Sequence, residues 1–313
     1  MSFKNAKRQI LLFGMESSYG VDPTLVGANA MYVYDLNVTP LGGSMASRQK
    51  AHATFGSDDD VLVGEFMQLT FKFGLSGSGA AGTPPLWGPI ARACGMSETI
   101  TTSVKTVYAP ISSSPESGAA YFLWDGLKHM LLGERGNIDF MFPGKALPYG
   151  SATFVGLFSP VTDAANPSGV ETQLASWIKE IKVNQANTTF SLHSYAAVME
   201  SFQLNTGNIG PTQVRDRPNA AYVPMTDRAS TGQVVFEAPP IATKDFISIA
   251  KAGTLGASQV VHGTTAGNIV QVDTTKTQLI QPSYSTVDGV LHLSSQLANR
   301  RTNGDDDFSI TVK

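Results

Sequence analysis

The sequence predicts a mainly β protein built as two similar halves, each with one short α-helix flanking its strands. Most of the chain consists of short runs of β-branched and aromatic residues that end at Gly, Pro, Ser or Asp, which is typical of strands. Only two segments have the apolar spacing of an amphipathic helix. Each of them follows a strand and a Pro-Pro pair and is closed by a glycine, Gly95 in the first half and Gly253 in the second.

The predicted strands are rich in residues that favour a pleated, half-buried surface. They cover residues 32–39, 65–75, 119–124, 137–142, 152–158, 189–193 and 232–237. In segment 65–75, apolar residues from Leu69 onwards alternate with Gln68, Thr70 and Lys72. Side chains of a strand point alternately to its two faces, so we expect one buried face and one polar face.

The two predicted helices cover residues 85–94 and 244–252. In both, apolar residues recur at i, i+3, i+4 and i+7, which puts them on one face. Prolines at the start of the first helix are tolerated because the N–H groups of a first turn have no intrahelical acceptor. Thr243 is the expected N-cap of the second helix, and Gly95 and Gly253 are expected to end the two helices in a left-handed conformation.

The two halves also match in order and spacing. Gly95 and Gly253 are 158 residues apart (253 − 95). Ahead of each helix lies a strand followed by a polar, glycine-containing loop, YDLNVTPLGG in one half and ESFQLNTGN in the other. Agreement at several points favours an internal duplication over the chance recurrence of a short helix between strands. The predicted organisation is a first domain over residues 1–160, a linker over 161–188 and a second domain over 189–313.

Charge is sparse in this chain. Charged residues make up 15% of it, against roughly 25% in a typical soluble domain. The chain is therefore expected either to present a large neutral surface or to bury much of its surface against partners. A net charge of −3 without a basic cluster argues against a dedicated nucleic-acid binder. The apolar run at residues 10–13 is too short for a signal peptide, and no run approaches the ~18 residues of a membrane span. We therefore expect a soluble product of a reducing cytoplasm, as the single Cys94 also suggests.

No motif predicts catalysis or a cofactor. The run GSGAAG at residues 77–82 fits the dinucleotide fingerprint G-x-G-x-x-G and follows a strand. However, Thr83-Pro84-Pro85 separates it from the next helix, and the chain lacks the alternating βαβ pattern of a nucleotide-binding fold. A flexible turn of small residues is the expected structure.

No spacing predicts a metal site. The five histidines are scattered, and most are expected at surface or half-buried strand positions. Cys94 is expected to be a buried thiol on the first helix. The runs of three aspartates at 58–60 and 305–307 lack the spacing of a calcium loop, so solvated turns or acidic contact patches are expected.

A train of segments resembles the tail tube (major tail) proteins of long-tailed siphophages. In the first half these are MESSYGVDPT, YDLNVTPLGG, GLSGSGAAGTPPLWGPIARACGMSET, YAPISSSPESGAAYFLWDGLKHMLLGERGN and PYGSATFVGLFSPVTDA. In the second half SLHSYAAVMESFQLNTGN, TDRASTGQVVFEAPPIATKDFISIAKAG and VVHGTTAGNIVQV follow. The resemblance covers nearly the whole chain. It implies two packed β-sheets flanked by a helix, in a structural protein that is not an enzyme and carries no cofactor.

The resemblance also implies self-assembly. Family members form rings whose inner strands join into a continuous barrel, and the rings stack into a tube through which DNA leaves. Because six tube domains form a ring, a duplicated chain would need three copies with pseudo-sixfold symmetry, with a six-chain ring as the alternative. The implied partners are other copies of the chain, the tape-measure protein, the tail terminator, tail-tip proteins and, transiently and non-specifically, DNA. The implied location is the virion tail, after assembly in the cytoplasm of the host bacterium.

Two long segments, residues 40–64 and 205–227, are predicted as loops at equivalent places in the two halves, and long ordered loops usually have a role. The first is the predicted contact between stacked rings, because it is polar and mixed in charge. Its charged and titratable residues are Arg48, Lys50, His52, Asp58, Asp59 and Asp60. If segment 65–75 lines the barrel, Gln68 and Thr70 face the lumen and Lys72 is expected near a carboxylate.

Two other classes of function stay open at this point. A tail-tip or fibre-type binding module would form discrete oligomers and bind a ligand on the host surface. A nucleotide-binding or sugar-processing enzyme would bind its ligand saturably as a single chain.

Overall fold

The computed structural model describes residues 3–211 and 213–313. Within these ranges the chain is mainly β, with 21 strands, three short α-helices and one 3-10 turn. The strands that precede α2 are β1 (Gln9–Met15), β2 (Val33–Ser47), β3 (Asp60–Gly74), β4 (Met96–Thr101), β5 (Lys105–Pro110), β6 (Gly118–Trp124), β7 (Leu127–Pro143), β8 (Tyr149–Leu157) and β9 (Thr162–Asp163). Those that follow it are β10 (Thr188–Leu192), β11 (Tyr195–Ala196), β12 (Met199–Asn205), β13 (Asn208–Ile209), β14 (Arg215–Arg217), β15 (Ala220–Tyr222), β16 (Asp227–Arg228), β17 (Thr231–Glu237), β18 (Leu255–His262), β19 (Val270–Val287), β20 (Val290–Asn299) and β21 (Ser309–Val312). The helices are α1 (Gly88–Ala93), α2 (Val170–Ala175) and α3 (Phe246–Lys251), and the 3-10 turn is Gly27–Asn29.

One antiparallel sheet of eight strands runs through both halves. In the first half β2, β3, β8 and β7 pair in that order. In the second half β12, β17, β20 and β19 pair in that order. The two groups of four are joined because β7 also pairs with β12, with Phe140 opposite Leu204. We call this the main sheet.

A second layer of strands pairs with the N-terminal parts of two long strands of the main sheet, β7 and β19. The N-terminal part of β7 pairs with β6, which pairs with β1. In the same way the N-terminal part of β19 pairs with β18, which pairs with β10. The register shifts at residues 131–134 of β7 and at 274–277 of β19. Such bulges bend a strand, which lets each long strand serve both layers. The order of pairing is therefore the same in the two halves.

Three of the strands outside this common order link the two halves. β21 adds to the N-terminal part of β19, and β5 and β4 continue from β21. Two strands of the first half thus extend the second layer of the second half. The halves are joined through this layer as well as through β7 and β12.

Aromatic side chains fill the space between the layers. Phe13 of β1 packs on Phe154 of β8, with ring centroids 5.2 Å apart. Trp87, just before α1, lies 6.1 Å from Phe73, and Phe246 of α3 lies 4.9 Å from Phe236. Each fully buried ring of this kind stabilises the fold by roughly 1.5–3 kcal/mol. The helix of each half thus covers the end of its own core.

All seven predicted strands are confirmed, mostly with longer bounds than expected. Both predicted helices are present but short, because α1 begins only at Gly88 and α3 only at Phe246. The predicted N-cap Thr243 is wrong. Asp245 caps α3 instead, since its Oδ1 accepts a hydrogen bond of 2.9 Å from Ser248 N.

The segment predicted as a linker, 161–188, packs against the rest of the protein. It contains α2, and the side chains of Trp177 and Val183 are buried in the main hydrophobic core. In neither described range is a helix long and apolar enough to cross a bilayer.

The predicted loop 40–64 is mostly wrong. β2 continues to Ser47 and β3 begins at Asp60, with Ser47 opposite Asp60, so the two strands form a long hairpin. Only residues 48–59 connect them. The register shift near Gly42 and Gly43 belongs to the ladder and does not end it. The strand extensions PLGGSMAS and DVLVG contain no buried residue and no apolar alternation, because a strand exposed on both faces carries no apolar period.

Candidate functional site

The main sheet has two free edges, one in each half. Among the described residues, β2 pairs only with β3, and residues 283–287 of β19 pair only with β20. Both edges carry exposed aromatic side chains, with Tyr34 42% and Tyr284 58% exposed. Long strand edges with apolar side chains are templates for pairing with another chain. These edges are the strongest candidate contact surfaces of the protein.

The junction of β7 and β12 is a covered edge inside the same chain. Phe140 and Leu204 lie opposite each other there and are fully buried. On the other face, Asp139 Oδ1 accepts hydrogen bonds from Gln203 Nε2 at 2.8 Å and from Asn205 Nδ2 at 2.7 Å. The junction thus combines an apolar face towards the core with a hydrogen-bonded polar face.

Gln68 and Thr70, the predicted lumen residues, lie on the polar face of the main sheet, as the alternation in β3 requires. Leu69 and Phe71 between them are buried. Lys72 on the same face forms an ion pair of 2.8 Å with Asp35, which confirms the expected nearby carboxylate. The hydrogen bond to Asp35 raises the pKa of Lys72. The positive charge of Lys72 is therefore balanced locally.

The residues predicted for the contact between rings come together at the tip of the β2–β3 hairpin. Arg48 pairs with Asp59 at 3.0 Å, and His52 lies 2.7 Å from Asp58. Asp58 also accepts a hydrogen bond from Lys50 N at 2.7 Å. The remaining member, Asp60, is the first residue of β3. Most of the mixed charge is thus paired within the tip, which leaves the fully exposed ring of Phe55 as its most prominent apolar group.

The second predicted loop, 205–227, is not equivalent to this hairpin in structure. It contains three short strands, β13 to β15, and lies against the first half. Asn208 Nδ2 donates to Cys94 O at 2.7 Å, and Arg135 Nη1 donates to Val223 O at 2.9 Å. Tyr19 Oη accepts a hydrogen bond from Val223 N. This segment therefore holds the halves together, whereas the outer part of the β2–β3 hairpin pairs with no other strand.

The glycine-rich run 77–82 also joins the halves and is not the flexible turn that we expected. Gly77 N donates to Asn268 Oδ1 at 2.7 Å, and Gly79 N donates to Gly267 O at 3.0 Å. A Cβ atom on Gly77 would lie 2.0 Å from Gly267 O. The glycines allow this close approach of two backbones, which accounts for them without a phosphate ligand.

Most histidines are buried, contrary to expectation. His129, His193, His262 and His292 are buried, and only His52 is exposed. Burial lowers the pKa of His129, His193 and His262, so these rings tend to stay neutral. In the two described ranges, no group of three or more His, Cys, Asp or Glu side chains is arranged to hold a metal ion.

The aspartate run 305–307 orders a turn and an ion pair. Asp306 accepts hydrogen bonds from the N–H groups of Thr302, Asn303 and Gly304. Arg228 pairs with Asp307 at 2.7 Å and with Asp305 at 3.1 Å. The run thus forms an internal contact between Arg228 and the turn near the C-terminus, and not the acidic contact patch that was one expectation.

Sequence reasoning missed the edge formed by residues 283–287 of β19. A signal for it was present, because Asp288-Gly289 stands between two alternating runs, YSTV and VLHLS, and Asp-Gly favours a tight hairpin turn. It also missed Glu134, which is completely buried at the bend of β7. A charged residue beside Gly133 within an apolar strand indicates such a bulge.

These surfaces present strand edges, a polar face and a projecting hairpin that a second protein chain could cover. Cys94, the only thiol, is buried as expected, and burial raises its pKa. No protein-family model matches the sequence, and no curated protein matches it.

Proposed function

We propose that this protein is the structural subunit of a phage tail tube, in which copies join through the free edges of the main sheet into a ring around a channel. The observation that carries the proposal is that this sheet is open at both ends, on β2 at one end and on β19 at the other. Pairing β2 of one copy with β19 of the next is a head-to-tail contact, and such a contact closes a ring when its rotation allows. Closure removes the unpaired edges.

The matched pairing order supports an internal duplication. Each half has four strands in the main sheet, further strands in the second layer and one helix that covers its core. On this proposal each half is one tube domain of the sandwich or barrel type, with domains at 1–160 and 189–313. Three chains would then form a ring of six domains. The contact of β7 with β12 inside each chain would alternate with the contact of β19 with β2 between chains.

The polar face of the main sheet would line the channel. Gln68 and Thr70 are uncharged, and Lys72 is paired with Asp35. A wall without unpaired positive charge would not retain DNA by its phosphates. The partners on this proposal are further copies of the chain, the tape-measure protein, the tail terminator and tail-tip proteins, in the virion tail.

Electron microscopy of the purified protein tests this function. We expect rings or stacked rings with a central channel, and a ring mass of three chains of 33.2 kDa each. A ring mass of six chains would keep the tube but overturn the duplication. Monodisperse particles without a channel would overturn the tube in favour of a tail-tip or fibre-type module. Saturable binding of a nucleotide or sugar by such particles would favour an enzyme.

A further inference from the structure

We propose that copies join in one defined register, in which residues 37–39 of β2 pair antiparallel with residues 283–285 of β19 in the next copy. Val38 then lies opposite Tyr284. This inference rests on the proposed function, because it specifies the contact by which copies would close a ring. It is derived from the internal junction of β7 with β12, which serves as a template for the contact between copies.

Equivalent positions in the two halves follow from the ladders. One row of directly opposed residues crosses β3, β8 and β7, and a matching row crosses β17, β20 and β19. The first row is Phe73, Gly150 and Phe140. The second row is Phe236, Leu293 and Tyr284. Both rows start at a buried phenylalanine just ahead of the segment that leads to the helix of that half. Tyr284 therefore occupies the place of Phe140.

The partner strand is aligned in the same way. Val38 of β2 lies opposite Leu69, four residues before Phe73. Leu204 of β12 lies opposite Gly232, four residues before Phe236. Val38 therefore occupies the place of Leu204. Because Leu204 pairs with Phe140 inside the chain, Val38 is expected to pair with Tyr284 of the next copy.

Tyr284 and Val38 are more exposed than their counterparts at the internal junction, as expected for an edge that a second copy covers. Phe140 and Leu204 are both 0% exposed at the internal junction, whereas Tyr284 is 58% exposed and Val38 is only partly buried. Leu291 of β20, which lies opposite Thr286 of β19, is 54% exposed. Val38 already packs against the main core. A second copy in this register would extend that core over Tyr284 and cover both apolar edges.

The polar face is also compatible with this register. Asn37 would lie opposite Ser285 and Thr39 opposite Ser283, so no like charges would meet. At the internal junction the same face holds amide side chains bonded to Asp139. Hydroxyl and amide groups can exchange hydrogen bonds in the same way.

Bulges frame the proposed ladder and oppose slippage. β2 has a register shift between Tyr34 and Asn37, with a positive φ of 52° at Asp35. β19 has one between Ile280 and Ser283, with a φ of 48° at Gln281. In an antiparallel pairing the two bulges fall at opposite ends of the paired stretch. Sliding by two residues would bring a bulge into the ladder and leave main-chain groups unpaired.

Cysteine cross-linking tests the register. The matched variant carries Asn37→Cys and Ser285→Cys, two positions that lie far apart within one copy and directly opposite each other between copies. Cα atoms of directly opposed residues are about 4.5–5.5 Å apart, which suits a disulfide. The control variant carries Asn37→Cys and Ser283→Cys on the same face but two residues out of register. Its Cα separation of about 7–8 Å exceeds the usual range. Cys94 is buried and does not interfere.

Under mild oxidation we expect the matched variant to form covalent species of two and three chains at more than ten times the yield of the control. The single-cysteine variants, run alongside, should not form the three-chain species. If electron microscopy shows rings but the shifted control cross-links, or neither variant does, the proposed register is wrong. The proposal of a tube would stand in that case. Absence of any self-association in the unmodified protein would overturn both.

Discussion

Glu134 is a buried carboxyl group at the bend of β7 with no hydrogen-bond partner among the described residues. Burial raises its pKa well above the usual value, and the nearby Glu16 adds to the shift. Glu16 itself is hydrogen-bonded within the protein. Its carboxylate accepts hydrogen bonds from Gly20 N, Ser117 Oγ and Gly133 N. The carboxyl group of Glu134 is thus held in its neutral form, beside a Glu16 carboxylate that accepts three hydrogen bonds.

The raised pKa of Glu134 predicts that the contribution of this residue to the free energy of unfolding falls as the pH rises. Below about pH 4.3 the Glu134 carboxyl is protonated in both folded and unfolded chains. Above that pH the unfolded carboxyl ionises while the folded one stays protonated. The free energy of unfolding then falls by about 1.4 kcal/mol per pH unit until the pH reaches the raised folded pKa.

Glu134→Gln removes this titration and nearly keeps the shape of the neutral side chain. We expect the stability of the variant relative to the unmodified protein to increase steadily from pH 5 to pH 8 in denaturant unfolding. The difference between the two proteins isolates Glu134, because the buried histidines titrate equally in both. A difference independent of pH would mean that Glu134 is already ionised in the fold.

Gln68 and Thr70 carry a second prediction at this scale, which concerns the channel. Replacing both with lysine would add two positive charges to the polar face of each copy, without the carboxylate partner that Lys72 has in Asp35. DNA ejection from virions of normal length is expected to slow, and most strongly at low salt, where screening is weakest. Gln68→Ser with Thr70→Ser is the matched neutral control. Unchanged ejection kinetics at low salt would remove these residues from the channel wall.

At the scale of elements, the outer part of the β2–β3 hairpin extends beyond the main sheet, because residues 60–65 of β3 pair with β2 alone. At its tip Arg48 pairs with Asp59, and His52 contacts Asp58. Because Ser47 lies opposite Asp60, replacing residues 48–59 with Asn-Gly should close the ladder with a tight turn. We expect folded subunits that form rings but not long tubes, measured as filament length by electron microscopy.

A charge-swapped hairpin is the control for this truncation. Exchanging Arg48 and Asp59 keeps the 3.0 Å ion pair of the tip while it reverses the two charges that a neighbouring ring would meet. Mixed charges at a contact set its register and specificity more than its affinity. The swap should therefore reduce stacking less than the truncation does. Tubes of normal length from the truncated protein would show that the hairpin has another role.

Local sequence patterns predicted the elements that bury an apolar face. The alternation of Leu69, Phe71 and Phe73 located β3, and the stripe with Phe246 located α3 within two residues. The outer parts of β2 and β3 escaped because they have no buried face and so no apolar period. The cap of α3 was misplaced by two residues because Thr243 and Asp245 both have the side chain of an N-cap.

The candidate site was harder to predict from the sequence than the strands and helices were. That Gln68 and Thr70 share a polar face follows from the period of a strand. Which strands end as free edges does not follow from it, since β7 and β12 are joined by pairs of residues 58 to 66 positions apart (201 − 143 and 205 − 139). The burial of Glu134 depends on a bulge in β7 that is defined by its pairing with β6 and β8.

At the scale of the whole molecule, the halves are tied together at several separate places. β7 pairs with β12, β5 pairs with β21, and the glycine-rich run 77–82 packs on the turn at Gly267. Residues 205–227 add contacts to the first half through Asn208 and Val223. The two halves of one chain therefore form a single packed unit, as the proposed ring requires of its subunit.

The two free edges predict a complementation between variants. Val38→Lys places a charge on the apolar side of the β2 edge, and Tyr284→Lys does the same on the β19 edge. A lysine on an edge strand opposes pairing with a further strand. Each variant alone is expected to remain a single chain in native mass spectrometry. A mixture should form complexes of two chains and no larger, because the intact β19 edge of the first variant can pair with the intact β2 edge of the second, after which both outer edges are blocked. Rings from either variant alone, or mixtures that assemble beyond two chains, would mean that copies join through other surfaces.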